Sequence, residues 1–268
     1  MPHSTLTPAW LTPDEVAAFR REGYLIVRNM VADSLRNMML QSTLYDLEQE
    51  VPPLEFEAEV RYPGAPAGLD AEGGRTVRRL KQALTRHPAF LQWVSSPELV
   101  GRLQQLLGAR IVMPLGHHNC VMTKQPRYSS DTLWHQDIRY WSFERPELVS
   151  AWLALGSERT ENGCLYVIPG THTLPIARER LDAELFLRPE LPENQELIAR
   201  KAPAELAPGD VLLFHGRTFH AAGRNRTAEP KFSVVFTFRP EDNRPIPESR
   251  SAAFPELILP YFPQSEKA

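Results

Sequence analysis

Cysteine is scarce. The 268-residue chain holds two, Cys120 and Cys164, without C-x-x-C spacing, which is too few for a disulfide scaffold and reads as two buried thiols in strands. Long apolar runs are missing as well: none approaches the roughly 18 residues needed to span a bilayer. The opening MPHSTLTPAW lacks a basic segment followed by an apolar one, so the expected location is cytoplasmic, with no membrane partner. Excess charge of one sign is also lacking. Thirty basic residues stand against thirty-three acidic ones, a net charge of -3, so no global field selects nucleic acid. Small molecules are the expected partners, and nothing in the composition sets the oligomeric state.

What is present suffices for a full core. At 42% apolar residues the expectation is one domain over residues 1–268. Thr12-Pro13-Asp14-Glu15 reads as a capping box with proline at the first helical position, and Gly23 ends the helix before the short strand YLIV, 24–27. A longer helix is expected from about Asp33 to Gln49, stopped by Pro52-Pro53. Residues 51–75 are rich in proline and glycine and read as a mobile loop that lies over a pocket. Ser96-Pro97-Glu98 opens another helix, which Gly108 closes.

Beyond residue 108 the texture changes. ARIVMPL, NCVMTK, TLWHQDIRYW, LVSAWLALG, CLYVIPG, DVLLFHG and KFSVVFTFR are short β-rich runs separated by glycine, proline and asparagine turns. A charged, partly helical insertion interrupts them between about Pro175 and Pro208. The pattern predicts a mainly β fold with flanking helices around a double-stranded β-helix core, that is, a jelly roll of cupin-like type. The helical part is expected over about 12–108, the core over about 109–240 and a C-terminal tail over 241–268.

One stretch carries chemistry. In LWHQDIRYW, residues 133–141, His135 and Asp137 stand at i and i+2; on a strand they share a face, so an imidazole nitrogen and a carboxylate oxygen converge on one point. A catalytic metal needs a third protein ligand from another strand and open positions beside it. Candidates are His117, His118, His172, His215 and His220. The segment PGDVLLFHGRTFHAAGRNRT supplies two, His215 at the end of an apolar run and His220 after a bend.

These blocks together resemble a known family. TPDEVAAFRREGYLIVRNMV, WHQDIRYW, ENGCLYVIPGTH and GDVLLFHGRTFHAAGRNRT occur in order over nearly the whole chain and are similar to the phytanoyl-CoA dioxygenase group of iron(II)- and 2-oxoglutarate-dependent oxygenases. The resemblance implies that His135, Asp137 and His220 are the metal ligands and that His215 is structural. It implies an enzyme that uses Fe(II), 2-oxoglutarate and O2, releases succinate and CO2, and hydroxylates an unactivated C–H bond of a small molecule. Two imidazoles and a carboxylate on one face of an octahedral ion agree with this, because they leave three positions open. The retained Asp137 favours hydroxylation over halogenation, since related halogenases lack that carboxylate.

Eleven residues after His220 the family usually has an arginine for the far carboxylate of 2-oxoglutarate. Here Lys231 stands in that place, keeping the charge without the bidentate fork, with Arg226 and Arg239 as substitutes. Trp152 lines up with a family tryptophan near the co-substrate, and Thr123 and Asn119, alternating with Cys120 and Met122, are assigned to the inward face. The basic run Arg75, Arg78, Arg79 and Lys81 reads as a solvated helix face. Competing readings are oxidative cyclisation or desaturation by the same iron centre, a metal-dependent hydrolase or isomerase of similar fold, and a non-catalytic jelly roll that senses a small molecule.

Overall fold

A computed structural model of the chain describes residues 10–263; most of the N-terminal decapeptide and the last five residues of the C-terminal tail lie outside it. Thr12 caps α1 (Pro13–Glu22). Its hydroxyl accepts from the Glu15 amide at 3.2 Å while the Glu15 carboxylate accepts from the Thr12 amide at 2.7 Å, the reciprocal arrangement that TPDE encodes. Gly23 stops the helix at φ 78°, and a Cβ there would lie 2.4 Å from His172 Nδ1, so both the backbone and the space require glycine. β1 (Tyr24–Val27) and α2 (Asp33–Glu48) follow where expected.

The next segment differs from the sequence reading. Residues 51–75 carry β2 (Leu54–Phe56) and one helical turn, α3 (Glu57–Val60), and the basic run forms β3 (Val77–Lys81) in place of a helix face. Arg78 is 1% exposed. Its guanidinium reaches Glu57 at 3.3 Å, Ser130 at 2.9 Å and Thr132 at 3.0 Å, and Ser130 in turn donates to Glu57 at 2.6 Å. A paired and hydrogen-bonded arginine is buried against the ordinary preference of its type, which local pattern does not reveal. α4 (Pro88–Val94) and α5 (Pro97–Leu107), the second capped by Ser96, complete the helices that precede the main β region.

The remaining elements are β4 (Ile111–Pro114), β5 (Asn119–Lys124), β6 (Thr132–His135), β7 (Val149–Ala154), β8 (Leu165–Val167), α6 (Pro192–Ala199), β9 (Ala202–Ala204), β10 (Val211–His215), β11 (His220–Ala222), β12 (Lys231–Pro240) and β13 (Glu256–Ile258). They make two antiparallel sheets. The larger runs β1-β10-β7-β12-β5-β3-β2, with β4 on the end of β12 and β13 beyond it; the smaller runs β6-β11-β8-β9. This is the jelly-roll core expected from the spacing of short strands. No described helix is long and apolar enough to cross a membrane.

Alternation divides the large sheet into two faces. Val121, Ala151, Leu213, Val234 and Phe236 pack against the helices through Phe19, Met39, Trp93 and Leu103. The opposite residues, Cys120, Trp152, Phe214 and Val235, join Leu165 and Val167 of the small sheet in a separate inner cluster. The first cluster anchors the fold and the second floors the site. Phe236 is fully buried, 5.4 Å from the Trp93 ring. Phe236→Ala is therefore expected to cost about 3 to 5 kcal/mol, lowering Tm by roughly 10 °C; thermal unfolding of the variant checks this.

Candidate metal centre and active site

His135 ends β6, and its backbone partner across the sheet is His220, the first residue of β11. Their rings lie 4.3 Å apart between centroids. Asp137 is not on the strand. The chain leaves β6 after His135 and Asp137 opens a 3-10 turn, Asp137–Tyr140, so a change of direction, and not shared strand phase, brings the two side chains together. All three residues are buried, and one ligand atom from each lies within 4.8 Å of the others.

The hydrogen bonds around the triad fix its chemistry. His135 Nδ1 faces the Leu133 carbonyl at 2.7 Å and His220 Nδ1 faces the Thr218 carbonyl at 3.0 Å. A nitrogen that faces a carbonyl must carry the proton, so on both rings Nε2 holds a lone pair. Those two Nε2 atoms lie 3.8 Å and 3.6 Å from Asp137 Oδ1, an oxygen that is buried without a hydrogen-bond partner. In the neutral rings three lone pairs thus converge, an arrangement that suits a metal cation.

The second Asp137 oxygen is held from behind. Ser150 Oγ lies 3.4 Å from Oδ2 and is itself 2.9 Å from Thr237, while His118 Nδ1 lies 3.6 Å from the same Oδ2. Burial pushes the Asp137 carboxyl up, but the surrounding His118, His220 and His135 imidazoles and the Ser150 hydroxyl outweigh it and hold it below the ordinary carboxylate range. His135 is pushed down to about 3 by burial first and then by His220. Asp137 and His135 are thus both in the forms that bind a metal at neutral pH.

The other histidines have different work. His215 ends β10 and accepts from the Arg217 amide at 3.0 Å, 5.4 Å from the His172 ring and outside the triad. Burial, then His172 and Arg217, push it down to about 4, and burial, then His118 and Arg250, push His117 down to about 3. The sign follows: a histidine whose folded pKa lies below its unfolded value of about 6.5 is protonated more readily in the unfolded chain. Stability is then complete above about pH 6.5 and is lost as pH falls toward 4. Tm of the metal-free protein is expected to fall steadily over that interval; a flat profile from pH 7 to 4.5 would contradict the assignment.

A narrow cavity of about 50 Å³ is lined by the triad and by Thr123, Trp152 and Lys231. Asn119 does not line it: its side-chain oxygen accepts from the Leu84 amide at 2.9 Å. Thr123 lines it with its hydroxyl donated to the Val77 carbonyl. Lys231 is 2% exposed and paired, its Nζ 3.0 Å from Glu158 and 3.1 Å from Ser233 Oγ, 5.1 Å from the Trp152 ring. Glu158 is wholly buried and also accepts from Trp152 Nε1 at 3.0 Å and Ser233 at 2.6 Å. Arg226 is exposed and Arg239 pairs with Glu256, and neither lines the cavity.

Sequence reasoning missed Glu158 and Lys124. Lys124 lines the cavity directly opposite Lys231 across the β5–β12 ladder. It donates to the Ser130 carbonyl at 2.6 Å and is pushed down to about 7 by burial, then by Arg78 and Lys231. The signal was the alternation of β5: Cys120 and Met122 belong to the inner cluster, and Lys124 continues their phase.

A jelly roll that brings two imidazoles and one carboxylate to a buried point with lone pairs converging is the frame of a non-haem iron oxygenase. The chain belongs to the phytanoyl-CoA dioxygenase (PhyH) family, whose profile matches residues 7–233; iron and 2-oxoglutarate are the cofactors of that class. Similar curated proteins include a probable phytanoyl-CoA dioxygenase of Caenorhabditis elegans, 24% identical and covering 81% of this chain and 72% of that protein. The ectoine dioxygenase of Halomonas elongata is 25% identical over 87% of this chain and 71% of its own. Among solved structures, EctD from S. alaskensis with 2-oxoglutarate and 5-hydroxyectoine superposes with a TM-score of 0.71 at 19% identity, covering 91% and 82% of the two chains. The epimerase SnoN with Fe3+, alpha ketoglutarate and nogalamycin RO gives 0.69 at 21% identity, covering 87% and 85%.

Proposed function

We propose that this chain is an iron(II)- and 2-oxoglutarate-dependent hydroxylase of a small-molecule C–H bond, with His135, Asp137 and His220 as the metal ligands. The observation that supports it most is the convergence of His135 Nε2, His220 Nε2 and the unpartnered Asp137 Oδ1. When bound, iron supplies the activation of O2 that is coupled to decarboxylation of 2-oxoglutarate. The residues supply the rest. Backbone carbonyls fix both imidazoles by their Nδ1 protons, Ser150 and Thr237 hold Asp137, and Phe214 beside the His220 ring, 5.0 Å away, keeps that side apolar and dry.

The far carboxylate of 2-oxoglutarate is assigned to Lys231, assisted by Lys124. Like charges directly opposite on neighbouring strands are destabilising, and an anion between these two ammonium groups relieves that. Glu158 does so only in part, because of the two lysines it pairs with Lys231 and not with Lys124. Trp152 walls the same end of the cavity.

Succinate formation with iron(II), 2-oxoglutarate and O2 tests the reading, with a metabolite mixture to supply substrate and mass spectrometry to detect one added oxygen atom. Succinate with an oxygenated product is the expected result. Succinate with a product of unchanged oxygen content would overturn hydroxylation in favour of cyclisation, desaturation or epimerisation, and no succinate with any mixture would overturn the enzyme reading.

A further inference from the structure

A wider chamber of about 360 Å³ adjoins the inner cavity, and the two share Tyr62, Arg79, His118 and Tyr140 in their walls. The outer chamber is the larger of the two spaces, so the body of a substrate is assigned to it. Its wall is aromatic. Tyr62 and Tyr140 approach within 3.4 Å through their hydroxyls, and Trp141 stands behind His117 and His118 with ring centroids 5.3 Å from each.

Its charge is lopsided. Arg79, Arg139 and Arg250 reach the chamber against Glu55 and Glu184. Glu55 is already shared: its carboxylate lies 3.3 Å from Arg79, 3.4 Å from Lys81 and 3.9 Å from Arg78. Arg139 and Arg250 have no carboxylate within 4.0 Å among the described residues. Arg139 is held flat, its guanidinium 3.8 Å from the Phe186 ring centroid and 4.5 Å from that of Tyr140, and its Nη1 is buried with no hydrogen-bond partner. A stacked, oriented guanidinium with an unmet buried donor is a preformed half of a bidentate contact.

Resting on the proposed function, we propose that the outer chamber reads an anionic group, a carboxylate or a phosphate, on a substrate with an aromatic or apolar body. Arg139 makes the principal contact, and Arg79 and Arg250 flank it. The anion is fixed on the chamber wall while the apolar body lies along Tyr62 and Tyr140, which places a carbon next to the triad and leaves the inner cavity to the co-substrate.

The test is binding, read by tryptophan fluorescence under argon with iron(II) and saturating 2-oxoglutarate. The probes are 4-phenylbutyrate, its neutral amide and phenethyl phosphate, each titrated against the wild type and Arg139→Met, which keeps an apolar stem on Phe186. The wild type is expected to bind at least one anion about tenfold or more tighter than the amide; which anion wins distinguishes the two sources. Arg139→Met is expected to lose that preference while its affinity for the amide changes less than about twofold. Equal binding of anions and amide by the wild type, binding of none of the three, or a preference that survives in Arg139→Met would overturn the inference. Iron content of the same samples separates the two claims: protein that holds iron without discriminating refutes the chamber alone, and protein that takes up no iron refutes the proposed function.

Discussion

His135→Ala, Asp137→Ala and His220→Ala are each expected to reduce bound iron to background and to abolish succinate formation, while His215→Ala keeps its iron. Removing one lone pair from a three-ligand site leaves two, and the neighbouring groups offer no replacement in the right place. Outside the triad His118 is the imidazole beside the Asp137 carboxylate, but its Nδ1 faces Oδ2, not the Oδ1 on which the His135 and His220 rings converge. His215 is tied to the Arg217 amide and to the His172 ring, so its loss removes a hydrogen bond worth about 1 kcal/mol. Elemental analysis of the four variants checks the set. Iron lost from His215→Ala and kept in His220→Ala would show the distal ligand to be misassigned.

The second large effect concerns Lys231. Its place in the sequence marks it as the cation for the co-substrate; the structure pairs it with the wholly buried Glu158. Lys231→Ala therefore strands a buried carboxylate, and breaking such a pair from one side costs about 3 to 5 kcal/mol. The double variant Lys231→Met with Glu158→Gln removes both charges together and is expected to recover most of that stability. It remains short of one charge-assisted contact to the co-substrate, worth about 1.5 to 3 kcal/mol, so its affinity for 2-oxoglutarate falls roughly 10- to 150-fold. Lys231→Arg keeps both the pair and the anchor. Calorimetric titration with 2-oxoglutarate beside thermal unfolding separates the two effects, and unchanged affinity in the double variant would move the anchor to Lys124.

The elements written in local chemistry were legible. TPDE with Gly23 gives α1 its start and stop, and short β-rich runs between turns give the jelly roll, because these signals act within a few residues. The triad was legible through the family motif and residue type, although the strand-phase argument for H-x-D failed: Asp137 lies in a turn. What stayed hidden depends on partners distant in sequence. Arg78 reads as a surface residue until Glu57 and Ser130 are beside it, and so the pattern of β3 suggests a helix face. Glu158 lies 73 residues from Lys231, and no pattern joins them before the sheets are paired. Asn119 was placed by alternation on the inward face, but that phase belongs to Cys120, Met122 and Lys124.

One iron is expected where His135 Nε2, His220 Nε2 and Asp137 Oδ1 meet, with the cavity lined by Trp152 and Lys231 beside it for a chelating 2-oxo acid. Anaerobic titration of the wild type with iron(II), with and without 2-oxoglutarate, tests it most directly, read by metal stoichiometry and by the visible charge-transfer band of a chelated 2-oxo acid. The expected result is one iron per chain, with the band present only when both are added and absent from His135→Ala and His220→Ala. A band that persists in either variant, or saturation of the wild type with no band, would contradict it.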